Sequence, residues 1–172
     1  SLSIAPLHFL VADASGHVAS IEYLNGKIVS HTGTELPFPV LTNNTYEESA
    51  AYAEKRTAKS PKKAVGYTTG SLDRFARAAA MVNAYAGSGI IDYSFDILEA
   101  VSQGDYTHWR IVYDIKNRII HYKTLANPDK RSIAMSDFDF SCGGPSLFVD
   151  INADPEPGSN SFAACNYTAN RK

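Results

Sequence analysis

The sequence predicts an α+β fold, in which antiparallel strands pack against a layer of helices. Two observations lead to this prediction. Short apolar or alternating segments joined by tight turns occupy the early and late parts of the chain, and amphipathic segments with helical spacing lie between them. Strands kept apart from helices along the chain are typical of α+β layering rather than of repeated β-α-β units.

Residues 7–32 are predicted to form an antiparallel meander of strands. An apolar run over residues 7–12 is followed by turn chemistry at residues 13–16, and residues 17–24 alternate as a half-buried strand does. Asn25 and Gly26 then predict a type I′ hairpin turn, because such a turn needs a positive φ at both central positions. Residues 27–31 form the return strand.

Residues 46–102 are predicted to be helical. Thr45 and Glu48 match a capping box, so the first helix should run from residue 46 to about residue 59. A second helix begins at Ser71 or Asp73 and is ended by the glycines of residues 87–89. The spacing of apolar residues places a third helix over residues 93–102.

Residues 107–140 are predicted to return to strands. Residues 107–114 alternate, the chain turns at residues 114–118, and residues 119–124 run back. Residues 131–140 predict a weaker strand. The tail over residues 141–172 is rich in proline and glycine and is expected to be mostly irregular.

Length and composition place the chain among folded single domains. Its 172 residues are 44% apolar, and 10 Tyr, 8 Phe and one Trp exclude a disordered chain. A net charge of -2 argues against a nucleic-acid partner, which would select a basic surface. A membrane partner is not expected either, because no apolar run approaches the roughly 20 residues of a membrane-spanning helix.

The two cysteines do not decide in which cellular compartment the protein is found. A disulfide between Cys142 and Cys165 would close a short loop, stabilise the fold by about 3 kcal/mol and fit a periplasmic or secreted protein. Two unrelated free thiols are the alternative, and they would fit the cytoplasm. Neither cysteine lies in a C-x-x-C pair or beside a helix start that would lower its pKa.

Residue patterns alone reveal no catalytic motif. The sequence has no phosphate-binding loop, no dinucleotide fingerprint and no nucleophile elbow. The histidines lack the spacing of a metal site, so no metal is expected. Adjacent Glu47 and Glu48 lie in the first turn of a predicted helix, where carboxylates stabilise the helix dipole.

Five segments in register resemble the choloylglycine hydrolase and penicillin V acylase family. They are residues 13–16 (DASG), 21–27 (IEYLNGK), 40–44 (VLTNN), 73–78 (DRFARA) and 107–114 (THWRIVYD). The resemblance implies an N-terminal-nucleophile (Ntn) hydrolase with a four-layer αββα sandwich that cleaves linear amides other than peptide bonds. It also implies that no cofactor is needed and that the enzyme is a homo-oligomer.

The resemblance places this chain in the C-terminal part of such an enzyme. The family's nucleophilic cysteine, whose own α-amine acts as the base, would then lie on an N-terminal partner fragment. The expected substrates are N-acyl amides of the penicillin V, conjugated bile salt or N-acyl homoserine lactone type. Two alternatives are a non-catalytic binding module on the same scaffold and an acylase subunit that uses Ser1 as its nucleophile.

Asn43 and Arg74 are the two positions that match catalytic residues of the family. The resemblance implies that Asn43 donates a side-chain N–H to the oxyanion of the tetrahedral intermediate, and that Arg74 supports the nucleophile electrostatically. A helix-capping or turn-closing asparagine is the structural alternative for Asn43. Arg74 could otherwise be an exposed helix-start arginine, although a positive charge is unfavourable there. Arg77 is expected to form a surface pair, and Asn44 to position Asn43.

Overall fold

The computed structural model describes residues 7–59, 68–152 and 162–164. The chain divides into two compact units, residues 1–103 and residues 104–172. The first unit contains a meander and three helices, and the second contains short antiparallel sheets. The secondary structure is therefore α+β, as predicted. That the two units make one domain stays a prediction.

The first unit begins with a three-stranded antiparallel sheet. Its strands are β1 (His8–Ala12), β2 (Val18–Leu24) and β3 (Lys27–Thr32), with β2 in the middle. The hairpin between β2 and β3 turns at Asn25 and Gly26, whose φ angles are 51° and 77°. Both values are positive, as the predicted type I′ turn requires.

The two faces of this sheet differ in both chemistry and exposure. The inner face carries Ser20 and Glu22, which are 0% and 2% exposed. The outer face carries apolar side chains that the strand register brings side by side: Phe9 opposite Ile21, Val11 opposite Ala19, and Ile28 opposite Tyr23. Most of these outer side chains are exposed, and Ile28 reaches 75%.

Three helices follow the sheet: α1 (Tyr46–Lys59), α2 (Ser71–Asn83) and α3 (Ile90–Ala100). Helix α1 begins where the capping box predicts, and the Glu48 amide donates to Thr45 Oγ1 at 3.3 Å. Helix α3 begins three residues earlier than predicted. The reason is Gly89, whose φ of 61° reverses the chain immediately before Ile90.

The core of the first unit forms where α1 and α2 meet the segment that follows the sheet. Its buried members are Leu36, Val40, Tyr46, Ala50, Ala53, Phe75, Ala76, Ala78 and Ala79. Five of these are alanines, two on α1 (Ala50 and Ala53) and three on α2, and they keep the side chains between the helices small. Phe75 fills the centre, because its ring contacts those of Phe38 and Tyr46 edge-on, with centroids 6.1 Å apart in each pair.

The second unit contains a sheet of β4 (Trp109–Asp114), β5 (Ile119–Thr124) and β6 (Arg131–Ala134), with β5 in the middle. The strand predicted over residues 131–140 is shorter than expected. Its pairing ends where Ala134 meets Ile119, the first residue of β5, so the chain continues as a 3₁₀ turn instead.

The tail is less irregular than predicted over its described residues. β7 (Leu147–Phe148) pairs with β8 (Ala163–Ala164) as a short antiparallel ladder. Phe138 packs edge-on against Phe162, with ring centroids 4.8 Å apart. Within the described part of the chain, no helix is both long and apolar enough to span a bilayer.

Candidate functional site

Asn43 lies on a loop whose two ends are tied together by one side chain. We call residues 38–46 the Asn43 loop. The Tyr46 hydroxyl accepts a hydrogen bond from the Phe38 amide and donates one to the Phe38 carbonyl, each at 3.2 Å. Burial raises the pKa of this hydroxyl above its usual value, so it stays protonated and keeps its donor. The Tyr46 side chain, at the last residue of the loop, therefore closes it by bonding to the backbone of the first residue.

Ser71, the first residue of α2, holds the middle of the Asn43 loop. Its Oγ accepts hydrogen bonds from the backbone amides of Asn43 and Asn44, at 3.0 and 3.1 Å. It also donates to Thr42 Oγ1 at 3.1 Å. One donor and two acceptor sites exhaust what a hydroxyl offers, so Ser71 fixes three consecutive residues of the loop against α2.

Arg74 fixes the orientation of the Asn43 side chain. Its Nη2 donates to Asn43 Oδ1, and its Nε donates to the Thr69 carbonyl at 3.2 Å. A guanidinium can only donate, so the asparagine atom that faces it must be the carbonyl oxygen. The Asn43 Nδ2 group consequently points away from Arg74. Burial lowers the pKa of Arg74, but not enough to remove the positive charge at any ordinary pH.

The two predicted residues are thus brought into direct contact, although they lie 31 positions apart. Among the described residues, none accepts a hydrogen bond from Asn43 Nδ2, and Asn43 is exposed. The result is an oriented amide donor whose N–H groups face solvent. Such a donor can stabilise a negative charge that develops beside it.

Two cavities of this chain lie away from Asn43. One, of about 710 Å³, lies beside the turn between β1 and β2 and is lined by Asp13 and His17 among others. The other, of about 630 Å³, lies in the second unit and is lined by Tyr113 and Phe140 among others. Neither lining includes Asn43 or Arg74.

Solved structures show which proteins this chain is similar to. Penicillin V acylase from Agrobacterium tumefaciens matches with a TM-score of 0.67 and 29% sequence identity, over 78% of this chain and 47% of that chain. The chain is structurally similar to penicillin V acylase. The resemblance predicted from the five motifs is confirmed by this match.

Two variants of conjugated bile acid hydrolase from Clostridium perfringens also match this chain. Both have a TM-score of 0.62, at 16% and 17% identity, over 93% of this chain and 54% of those chains. At that identity they show the fold alone, which resembles part of the Ntn-hydrolase fold. No family model and no curated protein sequence matches the chain. The chain spans about half the length of the solved structures that it matches.

Sequence reasoning missed two residues of this site and misplaced a third. Ser71 was identified only as a possible helix start. Glu22, whose carboxylate accepts from the Tyr46 amide at the end of the Asn43 loop, was identified only within an alternating strand and within the segment over residues 21–27. Arg77, expected on the surface, is 8% exposed and donates to the Ala100 carbonyl at 2.9 Å. Ala100 is the last residue of α3, where a carbonyl has no helical partner, and the Arg77 guanidinium supplies the donor for it.

Several predicted features fall outside the described residues. Ser1 and Cys165 are among them, so the alternative nucleophile and the disulfide stay predictions. Cys142 is described and exposed. Over the described ranges, no cluster of three or more His, Cys, Asp or Glu side chains is placed to hold a metal ion.

Asp73, beside Arg74, accepts three hydrogen bonds, two of which join α1 to α2. Its carboxylate accepts from Tyr52 Oη at 2.7 Å, from Thr68 Oγ1 at 2.8 Å and from Arg56 Nη1 at 3.0 Å. The hydrogen bonds from Tyr52 and Thr68, with the charge of Arg56, lower the pKa of Asp73 below its ordinary value of 3.8.

Stability should therefore depend on the charge of Asp73. Because its folded pKa is depressed, its contribution is present above pH 4 or so and is lost as pH falls through the folded pKa. We expect Asp73→Asn to lower the free energy of unfolding at pH 7, and the difference from wild type to shrink towards pH 2. Urea unfolding at several pH values measures this. A difference that stays constant with pH would contradict it.

Proposed function

We propose that this chain is the C-terminal part of a linear amide hydrolase of the Ntn type, with Asn43 as its oxyanion donor. One observation carries the proposal: the contact between Arg74 and Asn43 leaves the Asn43 amide N–H groups turned towards solvent. The structural similarity to penicillin V acylase supports it. The N-acyl amides named above are the proposed substrates.

The proposed mechanism assigns the nucleophile to a partner fragment. The thiol of an N-terminal cysteine would add to the amide carbonyl, and its proton would pass to the free α-amine of the same residue. The carbonyl oxygen would become an oxyanion that accepts from Asn43 Nδ2. Collapse would then break the C–N bond, with the amine leaving after it takes the proton. Water would finally hydrolyse the acyl thioester to the carboxylic acid and restore the thiol.

Arg74 would have two effects in this mechanism. It holds Asn43 Oδ1, so the donor is oriented before the substrate arrives. Its guanidinium also withdraws electron density from the amide, which makes the Nδ2 hydrogens more positive. Both effects favour the negatively charged intermediate over the neutral substrate, which is what lowers the barrier.

A partner with an apolar surface fits the outer face of the first sheet. Phe9, Tyr23 and Ile28 are 56%, 64% and 75% exposed there, side by side with Ile21. A contiguous apolar face of this kind marks an interaction surface. We propose that a sheet of the N-terminal fragment covers it, which would complete the αββα sandwich. The proportion of the relatives' length that this chain spans is consistent with such a fragment.

The experiment is a combined test of composition and activity on the native material. Intact mass under denaturing conditions, with N-terminal sequencing of every species, identifies any polypeptide that begins with cysteine. Release of carboxylic acid and amine is then followed for penicillin V, a conjugated bile salt and an N-acyl homoserine lactone. We expect such a polypeptide and turnover of at least one amide.

Modification of the thiol links the two readouts. Iodoacetamide should abolish turnover by alkylating the N-terminal cysteine. Cys142 is exposed and would also react, so a Cys142→Ser variant that stays active and stays inhibitable is the control. Folded material without an N-terminal cysteine, and without turnover of any of the three amides, would contradict the proposed function.

A further inference from the structure

Glu22 is a buried carboxylate at the end of the Asn43 loop. It lies on the inner face of β2 and is 2% exposed. The backbone amide of Tyr46 donates to both of its oxygens, at 3.0 and 3.1 Å. His8, opposite Glu22 on β1, has its Nδ1 3.3 Å from Glu22 Oε1. A buried carboxylate is costly unless hydrogen bonds and favourable charges compensate it.

The start of α1 supplies that compensation. Tyr46 is the first residue of α1, so its amide has no acceptor within the helix, and the positive end of the helix dipole favours a carboxylate. Thr45 already caps the Glu48 amide. Glu22 is therefore a second acceptor at the same helix end, and unlike Thr45 it belongs to a different element. Its role is to tie α1 to the sheet.

Tyr46 transmits this tie to the Asn43 loop. Its hydroxyl bonds the Phe38 backbone at the other end of the loop, and its ring packs against Phe75 and His31. Fixing the Tyr46 amide therefore fixes one end of the loop directly and the other through the phenol. Ser71 holds the loop from the α2 side. Between these two supports lies Asn43.

We propose that Glu22 is a positioning residue for the oxyanion donor: its buried carboxylate anchors Tyr46 and thereby sets where Asn43 Nδ2 lies. The inference rests on the proposed amide hydrolase function. Glu22 contacts Tyr46 and His8 and not Asn43 itself. Its loss should therefore weaken stabilisation of the intermediate while leaving binding of the neutral amide unchanged.

The test compares Glu22→Leu and Glu22→Gln in the complete protein, with two readouts. Leucine removes the acceptor and fills the space, whereas glutamine keeps one oxygen for the Tyr46 amide. For Glu22→Leu we expect hydrogen exchange at the amides of Asn43, Asn44 and Tyr46 to be faster by about tenfold or more. We expect kcat to fall about tenfold, with KM within about twofold of wild type. The exchange rates and the kcat of Glu22→Gln should lie between those of wild type and those of Glu22→Leu.

Thr124→Val is the matched control. Thr124 is 1% exposed and its Oγ1 accepts the Asn127 amide at 3.0 Å, so it too is a buried acceptor for a loop, but in the second unit. This variant should leave kcat and exchange in the Asn43 loop unchanged. If kcat fell as much in Thr124→Val as in Glu22→Leu, the effect of Glu22 would be general destabilisation, and the proposal would be overturned.

The remaining outcomes distinguish a failure of the proposed amide hydrolase function from a failure of the positioning role of Glu22. If wild type hydrolyses no amide, the proposed function fails, yet the exchange rates still report whether Glu22 anchors the loop. Wild-type exchange and wild-type kcat in Glu22→Leu would overturn the anchoring role. If Glu22→Leu does not fold, the same two wild-type values in Glu22→Gln would overturn it.

Discussion

Replacing Asn43 by alanine is expected to lower kcat of the assembled enzyme by about 100-fold or more, the effect of deleting one oxyanion donor. Arg74 holds Asn43 Oδ1, so the amide is oriented before reaction and reorganises little when the charge develops. The same N–H would bind the neutral carbonyl only weakly. The loss should therefore appear in kcat, with KM nearly unchanged, in steady-state kinetics on the amide that the wild type hydrolyses best.

Asn44→Ala is the control for this variant. The Asn44 side chain donates to Glu48 Oε2 at 3.2 Å, and its backbone amide, which binds Ser71, is retained after the substitution. We expect kcat within about twofold of wild type. If Asn43→Ala and Asn44→Ala had the same kcat, the oxyanion assignment would be wrong and Asn43 would be a structural residue of the loop.

A double-mutant cycle with Arg74→Gln then separates orientation from direct electrostatics. If Arg74 acts by holding Asn43, the single variant should lose about tenfold in kcat and the double variant should be no slower than Asn43→Ala alone. Losses that multiply would mean that Arg74 acts on the reacting groups independently of Asn43.

The sequence predicts the local structure well because the signals are local. A turn that needs two positive φ values selects Asn25 and Gly26, and a helix start with orphan amides selects Thr45. The misplaced start of α3 has a local cause, the turn at Gly89, but the shortened strand does not. The strand after Arg131 ends because its neighbour ends, and no property of residues 135–140 themselves gives that boundary.

The candidate site is harder to predict, because its contacts join positions that are distant in the chain. Nothing in the spacing of Asn43 and Arg74 indicates that they touch, and the resemblance to a family named them without giving the contact. Glu22 illustrates a second difficulty. Alternation along β2 suggests that Ile21 and Tyr23 face the core, yet the helices of this chain pack on the face with Ser20 and Glu22. The signal that could have indicated Glu22 is its charge at a regularly alternating position of a strand.

Phe75→Ala is expected to cause the largest loss of stability of the substitutions considered, about 3–5 kcal/mol in the free energy of unfolding. Phe75 is 0% exposed and lies between the rings of Phe38 and Tyr46. Truncation to alanine would remove the buried ring with its apolar contacts and leave a cavity between α2 and both ends of the Asn43 loop. Urea unfolding should give a lower midpoint with an unchanged slope.

Because of where the cavity lies, Phe75→Ala also tests whether the core supports the Asn43 loop. Phe75 follows Arg74 in α2, and its ring touches the two residues that close the Asn43 loop, so the loop should loosen as the cavity forms. We expect kcat to fall with stability in Phe75→Ala, and to recover partly in Phe75→Leu, which refills most of the space. Phe148→Ala, at a side chain 54% exposed, should change the free energy of unfolding by no more than about 0.5 kcal/mol. Full activity in a stably folded Phe75→Ala would mean that Ser71 and Glu22 hold Asn43 without support from the core.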